Sequence, residues 1–361
     1  MKKSIVALAV LSSVAGMASA QSSVTLFGVI DLATRYTKSN GESKMNLSKD
    51  GLASSRLGVR GVEDLGGGLK AGFWLEGGLN ADTGAAGANV GSTGAAKTTT
   101  STFWNRRSTV SLSGDFGEVR LGRDKTATQL LMDDFDPYGD VGQGAMYNTY
   151  SVLGSENGQA FGDSTQNRNN NQIIYIAPGN LGGFYGQLNV AAGEGAGVAG
   201  AGGQKQVSGR VGYKLDALHV AGGLNQTTID GAPEKLKLGT IAGSYDFGMV
   251  KPAVIYTQVK YGSLKQDNWT IAATAPVGPG LILASYTNSK FNDTARVAGL
   301  GDKADHYSVG YVYNLSKRTA LYGNVSEIKN KGASAFALAD AYNPVKNGSS
   351  GSVDVGIKHA F

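Results

Sequence analysis

The stretch SSRLGVRGVEDLGGGLKAGFWLEGGL, residues 54–79, is two alternating runs joined by one tight turn. In the second run Leu69, Ala71, Phe73 and Leu75 fall on one face, with Lys70, Trp74 and Glu76 on the other. In the first, Arg56 and Arg60 have the parity opposite to Leu57 and Val59. A period of two is that of a β-strand. Asp64-Leu65-Gly66-Gly67 between the runs is turn chemistry. The pattern alone suits a soluble sandwich as well as a membrane barrel. What separates them begins with the next connection, ADTGAAGANVGSTGAAKTTT at 81–100, which is long and rich in small residues.

The same unit recurs along the chain. Alternating segments lie near 23–36, 53–64, 68–80, 102–113, 117–123, 170–178, 182–192 and 205–215. The second half continues at 217–229, 234–247, 249–261, 265–276, 279–290, 303–314, 318–329 and 351–361. Every second connection is tight, as at Gly114-Asp115-Phe116, Gly179-Asn180-Leu181, Asp216, Asp246-Phe247-Gly248 and Asn314-Leu315-Ser316-Lys317. The connections between these are expected to be long. Turns on one side and loops on the other are what a membrane barrel requires, and an even strand number lets it close. A sandwich has no reason to sort its connections by parity. The expected fold is all-β: a 16-stranded antiparallel transmembrane β-barrel with its long third loop folded into the pore. Several of the 16 tyrosines fall near strand ends, which suits interfacial aromatic girdles as well as ordinary β packing.

The compartment agrees. Met1 to Ala20 has Lys2 and Lys3, an apolar core from Ile5 to Leu11, Gly16, and Ala18-Ser19-Ala20 as a small-x-small cleavage site. That reads as a cleaved signal peptide over 1–20, leaving a single barrel domain over 21–361. The formal charge of +5 falls to +3 once Lys2 and Lys3 leave, too mild for a nucleic-acid partner. Cysteine is absent, so disulfides and thiolate metal sites are not used. Beyond residue 20 no apolar run of about 18 residues offers a transmembrane helix.

Five blocks resemble the general porins of β-proteobacterial outer membranes: QSSVTLFGVIDLATRY at 21–36, the 54–79 stretch, RRSTVSLSGDFGEVRLGRD at 106–124, YVYNLSKRTALYGNVS at 311–326 and IKHAF at 357–361. The likeness is greatest to the anion-selective trimeric porins of the Comamonas and Delftia type. It implies a homotrimer in the outer membrane, passive diffusion of ions and small hydrophilic solutes, and a C-terminal Phe361 read by the barrel-assembly machinery. No cofactor is implied.

The third loop, 124–169, is the longest connection, and loops of that length are usually functional. It carries Asp133, Asp134, Asp136 and Asp140. By spacing alone these acids suit an exposed loop or an oxygen-ligand structural Ca2+ site; loop length together with the resemblance turns the reading to a constriction loop. Arg56, Arg60 and Arg120 should face the lumen by parity, and so should Arg168, which shares parity with Asn170 and Gln172. An arginine on the lipid face at mid-depth would cost about 2–4 kcal/mol. Some could instead sit at strand ends against lipopolysaccharide phosphates. The resemblance implies constriction roles for Arg56, the Arg106-Arg107 pair, Arg168 and Glu76. It points to Arg106, whereas parity favours Arg107, unless a bulge or strand end reconciles them. Arginines stay charged at any relevant pH and would form a positive ladder for anions. Four aspartates in the loop depart from the anion-selective pattern, leaving weak anion selectivity, none, or a cation preference open.

Three rivals remain. An outer-membrane phospholipase or protease would need a histidine base, yet His219, His306 and His359 lie in or at the starts of strands. An adhesive or structural barrel would not conduct. A substrate-specific anion channel would show a saturable site.

Overall fold

A computed structural model describes residues 23–87, 89–90, 99–100, 103–139, 141–149, 167–193, 205–228, 234–341 and 346–361. The 1–20 segment and Asp140 lie outside the described residues. Among the described residues eighteen strands share one hydrogen-bonded sheet, two of which, Glu42–Lys49 and Ala85–Ala86, are appendages. The other sixteen form a closed antiparallel barrel in chain order, as expected. The first strand, Ser23–Ser39, closes against the last, Ser349–Ala360, from Val29 opposite Ala360 to Ser39 opposite Ser350.

The first strand is shared lengthwise. Ser23 to Val29 pair with Val62 to Arg56, while Leu32 to Ser39 pair with Lys49 to Glu42. That second partner turns back at Asn40-Gly41, both at positive φ (52° and 81°), the geometry of a two-residue hairpin turn that matches strand twist. Tight and long connections alternate with two exceptions on the long-loop side, of which 229–234 is the milder. Strands Lys251–Tyr261 and Leu264–Val277 meet on the long-loop side through two residues only, with Gly262 at φ 57°.

The burial is inside-out. Val353, Val355 and Ile357 are exposed on the outer face, whereas Ser352 and Asp354, which alternate with them, are buried; Val355 is 65% exposed and Asp354 1%. Phe361 continues the seam: its N–H donates to Gly28 O and its O accepts from Gly28 N, each at 3.1 Å. Its ring lies over Gly28, where a Cβ would overlap it. Tyr307 and Tyr313 are exposed on the outer wall.

The lumen is not lined only by polar groups. Within the third loop a helix, Ala127–Phe135, is capped by the Thr126 hydroxyl, which accepts from Gln129 N at 3.2 Å. Its Leu131, Met132 and Phe135 join Met146 of the same loop and inward-facing Leu236, Leu238, Ile255 and Val259 of the wall in one buried apolar cluster. The apolar core of this molecule is therefore the seam between loop and wall. Burying each such side chain contributes about 1.5–3 kcal/mol, which is what holds a loop of this length across a water-filled barrel.

Candidate pore constriction

The loop leaves the wall at Lys125, leans its helix on strands Lys205–Leu215, Leu218–Thr228 and Lys235–Tyr245, and then crosses toward the far wall. Tyr138 is its main polar anchor, donating to Asn324 Oδ1 at 2.9 Å and Leu283 O at 3.3 Å. Burial raises the Tyr138 pKa, so the hydroxyl stays a neutral donor. Further on, His306 Nε2 contacts Gln143 O at 2.9 Å, and Ser285 Oγ donates to Gly144 O at 3.3 Å. Gly142, at φ 77°, passes so close to Gly51 that a Cβ would overlap the Gly51 carbonyl oxygen.

Gly51 belongs to a short segment that also presents the arginine wall. The Asp31 carboxylate accepts from Gly51 N (3.3 Å), Leu52 N (2.9 Å) and Ala53 N (2.7 Å), and bonds the Tyr322 hydroxyl. Those amides are thereby fixed immediately ahead of Arg56, the first residue of strand Arg56–Gly66.

Between that wall and the loop lies a space of about 390 Å³. On the wall side Arg56, Arg106, Arg107, Arg168 and Lys125 line it with Glu76 and Asp124; on the loop side Leu130, Tyr138, Gly139 and Val141 do so. Arg106 Nε lies 2.6 Å from Glu76 Oε1, and Arg56 Nε 3.6 Å from the same oxygen. Arg107 Nε lies 3.3 Å from Asp124 Oδ2. Both members of the 106–107 pair line the space, for different reasons. Arg107 begins strand Arg107–Gly114 opposite Glu76, while Arg106 precedes the strand and is free of its parity.

Arg168 also lines the space, but simple alternation does not carry it there: the register shifts between Asn169 and Gln172, with Asn171 at φ 52°. Its Nη1 donates to Asn167 Oδ1 at 2.7 Å. Arg60 and Arg120 stand away from this space. Arg60 stacks over Trp74 and Phe27, its guanidinium carbon 4.9 and 5.4 Å from the ring centres. Arg120 is held between Glu118 and Asp124, at 3.0 and 2.7 Å.

The loop aspartates diverge. Asp133 takes Lys125 Nζ at 2.5 Å, and Asp134 takes Arg210 Nη1, on strand Lys205–Leu215, at 2.8 Å. Asp136 is buried and accepts from Tyr138 N (3.0 Å) and Met146 N (2.8 Å), shaping the loop itself. Among the described residues no three His, Asp or Glu side chains converge as a metal site. The three histidines are dispersed: His219 bonds Tyr185 Oη at 2.8 Å, His306 the loop backbone, and His359 Thr319 Oγ1 at 2.9 Å.

Sequence reasoning did not single out Asp124, Lys125, Tyr138 or Arg210. Asp124 shares parity with Arg120 and was legible; the others depend on the path of the loop. Five cations and two carboxylates line the space, an excess of three positive charges. Counting Asp133 and the undescribed Asp140 wholly against it makes five cations and four acids, still one positive.

A family model described as Gram-negative porin matches residues 7–333. The chain is 40% identical to outer membrane porin protein 32 of Delftia acidovorans, over 100% of both chains. It is 28% identical to an outer membrane porin protein of Bordetella pertussis, again over 100% of each. Among solved structures it superposes on the anion-selective porin from Comamonas acidovorans with a TM-score of 0.79, at 36% identity, covering 94% of this chain and 100% of that one.

Proposed function

This chain belongs to the Gram-negative porin family, and from that premise we propose an outer-membrane general diffusion channel that passes small hydrophilic solutes and favours anions weakly. The observation that carries the sign is the positive excess lining the 390 Å³ space. Guanidinium groups stay ionised throughout the accessible pH range. Glu76 and Asp124 lower the net charge but hold Arg106, Arg56 and Arg107 in place, so an entering anion meets a field that needs little rearrangement. Asp134 and Asp136 are engaged away from the opening, which removes two loop acids from the balance. The reaction is passage itself, with no chemical step.

Assembly as a homotrimer, contact with lipopolysaccharide, cleavage after Ala20 and recognition of Phe361 by the barrel-assembly machinery complete the proposal. Supporting the last, Phe361 is docked on the closing seam and is 44% exposed. The mass of the mature chain tests the cleavage. The deciding experiment is the zero-current potential of the purified protein in a planar bilayer under a KCl gradient. An anion-selective sign is expected; a cation-selective or null value overturns the charge argument. Absence of stepwise conductance overturns the channel in favour of an adhesive barrel. Conductance that saturates and is blocked by one solute would mark a substrate-specific anion channel.

A further inference from the structure

Trp74 sits where the arginine wall continues from the constriction toward the tight-turn end of the barrel. It is on strand Leu69–Asn80, facing inward between Arg60, its direct cross-strand partner, and Arg107, its diagonal neighbour on the other side. The Arg107 guanidinium carbon lies 4.4 Å from the indole centre and that of Arg60 4.9 Å. Phe27 packs edge-on against the same indole, centroids 5.0 Å apart and planes at 63°, so the ring cannot swing away. The indole N–H donates to Glu76 Oε2 at 3.0 Å. Glu76 gives its other oxygen to Arg106 and Arg56. One aromatic side chain thus touches two guanidinium groups with its ring and reaches two more through a carboxylate.

We propose that Trp74 is the specificity-determining positioning residue of this channel: it stacks Arg107 and Arg60 as separate steps and fixes Glu76 on Arg106 and Arg56, so that an anion leaving the constriction is passed from one guanidinium to the next. Without the ring, Arg107, already paired with Asp124 through its Nε, can swing onto its cross-strand partner Glu76 as well and be neutralised there, and Arg60 loses the support that holds it over the path. Guanidinium suits this role because its planar, weakly hydrated cation stacks on an aromatic face and leaves its N–H edge open to a passing anion. The inference rests on the anion-favouring reading above and adds the residue that organises it.

The test is the chloride-to-potassium permeability ratio of the full-length protein in planar bilayers, for wild type, Trp74→Leu and Trp74→Phe. In the Leu variant the ratio falls about two- to fivefold, the factor equivalent to one exposed cation–π contact. In an Arg107→Gln background the same substitution shifts it less, because its main target is gone. The Phe variant keeps a ring under both guanidinium groups and retains more than half of the wild-type ratio. A Leu variant equal to wild type, a Phe variant as poor as Leu, or full additivity with Arg107→Gln overturns the proposal. If the Leu variant does not assemble, the Phe variant decides by the same additivity criterion. A cation-selective wild type sinks the underlying reading; an anion-selective wild type with an unchanged Leu variant sinks only the role of Trp74.

Discussion

Replacing Arg106 with Gln removes one positive charge from the constriction while leaving the strand, which starts at Arg107, intact. Treated as a sphere, the 390 Å³ space puts an ion at its centre about 5 Å from the lining charges, where one unit charge in a water-like dielectric is worth about 0.8 kcal/mol. Screening over a Debye length of about 10 Å at 0.1 M salt reduces this to about 0.5 kcal/mol. That is about twofold against the anion and about twofold in favour of the cation, hence about fivefold on their permeability ratio. Glu76→Gln should move the ratio by a similar factor in the opposite sense, because the same space loses a carboxylate. The zero-current potential in a KCl gradient reads both. Shifts of the same sign in the two variants, or no shift in either, would refute the idea that this set of charges governs selectivity.

Tyr138→Phe deletes the hydroxyl that ties the loop to Asn324 and Leu283, costs about 0.5–1.5 kcal/mol, and should raise open-channel current noise without changing the selectivity sign; a quiet channel counts against the anchor. Gly142→Ala places a Cβ on the Gly51 carbonyl oxygen at a positive φ, so conductance should drop or the loop should become protease-sensitive, and a wild-type channel would show that the crossing can relax. Burial works to raise the Asp340 pKa, but the Ser48 hydroxyl and the Arg35 guanidinium outweigh it and hold the carboxyl below its ordinary range. Stability from such a group is complete above its unfolded value of about 3.9 and is lost as pH falls through the lower folded value. Asp340→Asn should therefore flatten the loss of heat resistance below about pH 4, and identical acid profiles would exclude Asp340 as a contributor.

Much of the barrel was legible because alternation and turn chemistry are local. Val353, Val355 and Ile357 announce an outer face by themselves. The hairpin partner Glu42–Lys49 escaped notice although Asn40-Gly41 is a strong short-range hairpin signal. Its outer face offers just two apolar residues, Met45 and Leu47, too short an alternation to mark a strand. The positions of Arg106 and Arg168 show where parity stops working: at a strand end and beyond a register shift. The loop acids show a different limit. Four aspartates close in sequence suggest one acidic patch, but the helix Ala127–Phe135 turns Asp133 and Asp134 toward different walls, and Asp136 is spent on the loop backbone. Only the three-dimensional path of the loop tells them apart.

The seam between Ser23–Ser39 and Ser349–Ala360 has a kinetic consequence. Its partners are separated by more than three hundred residues, the extreme of non-local contact, so the loop-closure entropy of the whole chain is met in this one pairing. Until it forms, the sheet has two bare edges, which hydrocarbon does not tolerate because each unpaired amide there costs several kcal/mol. A chain lacking its last strand is accordingly not a leaky channel but an open ribbon prone to pairing with other chains. The closing strand decides whether the other fifteen become a membrane protein or an aggregate.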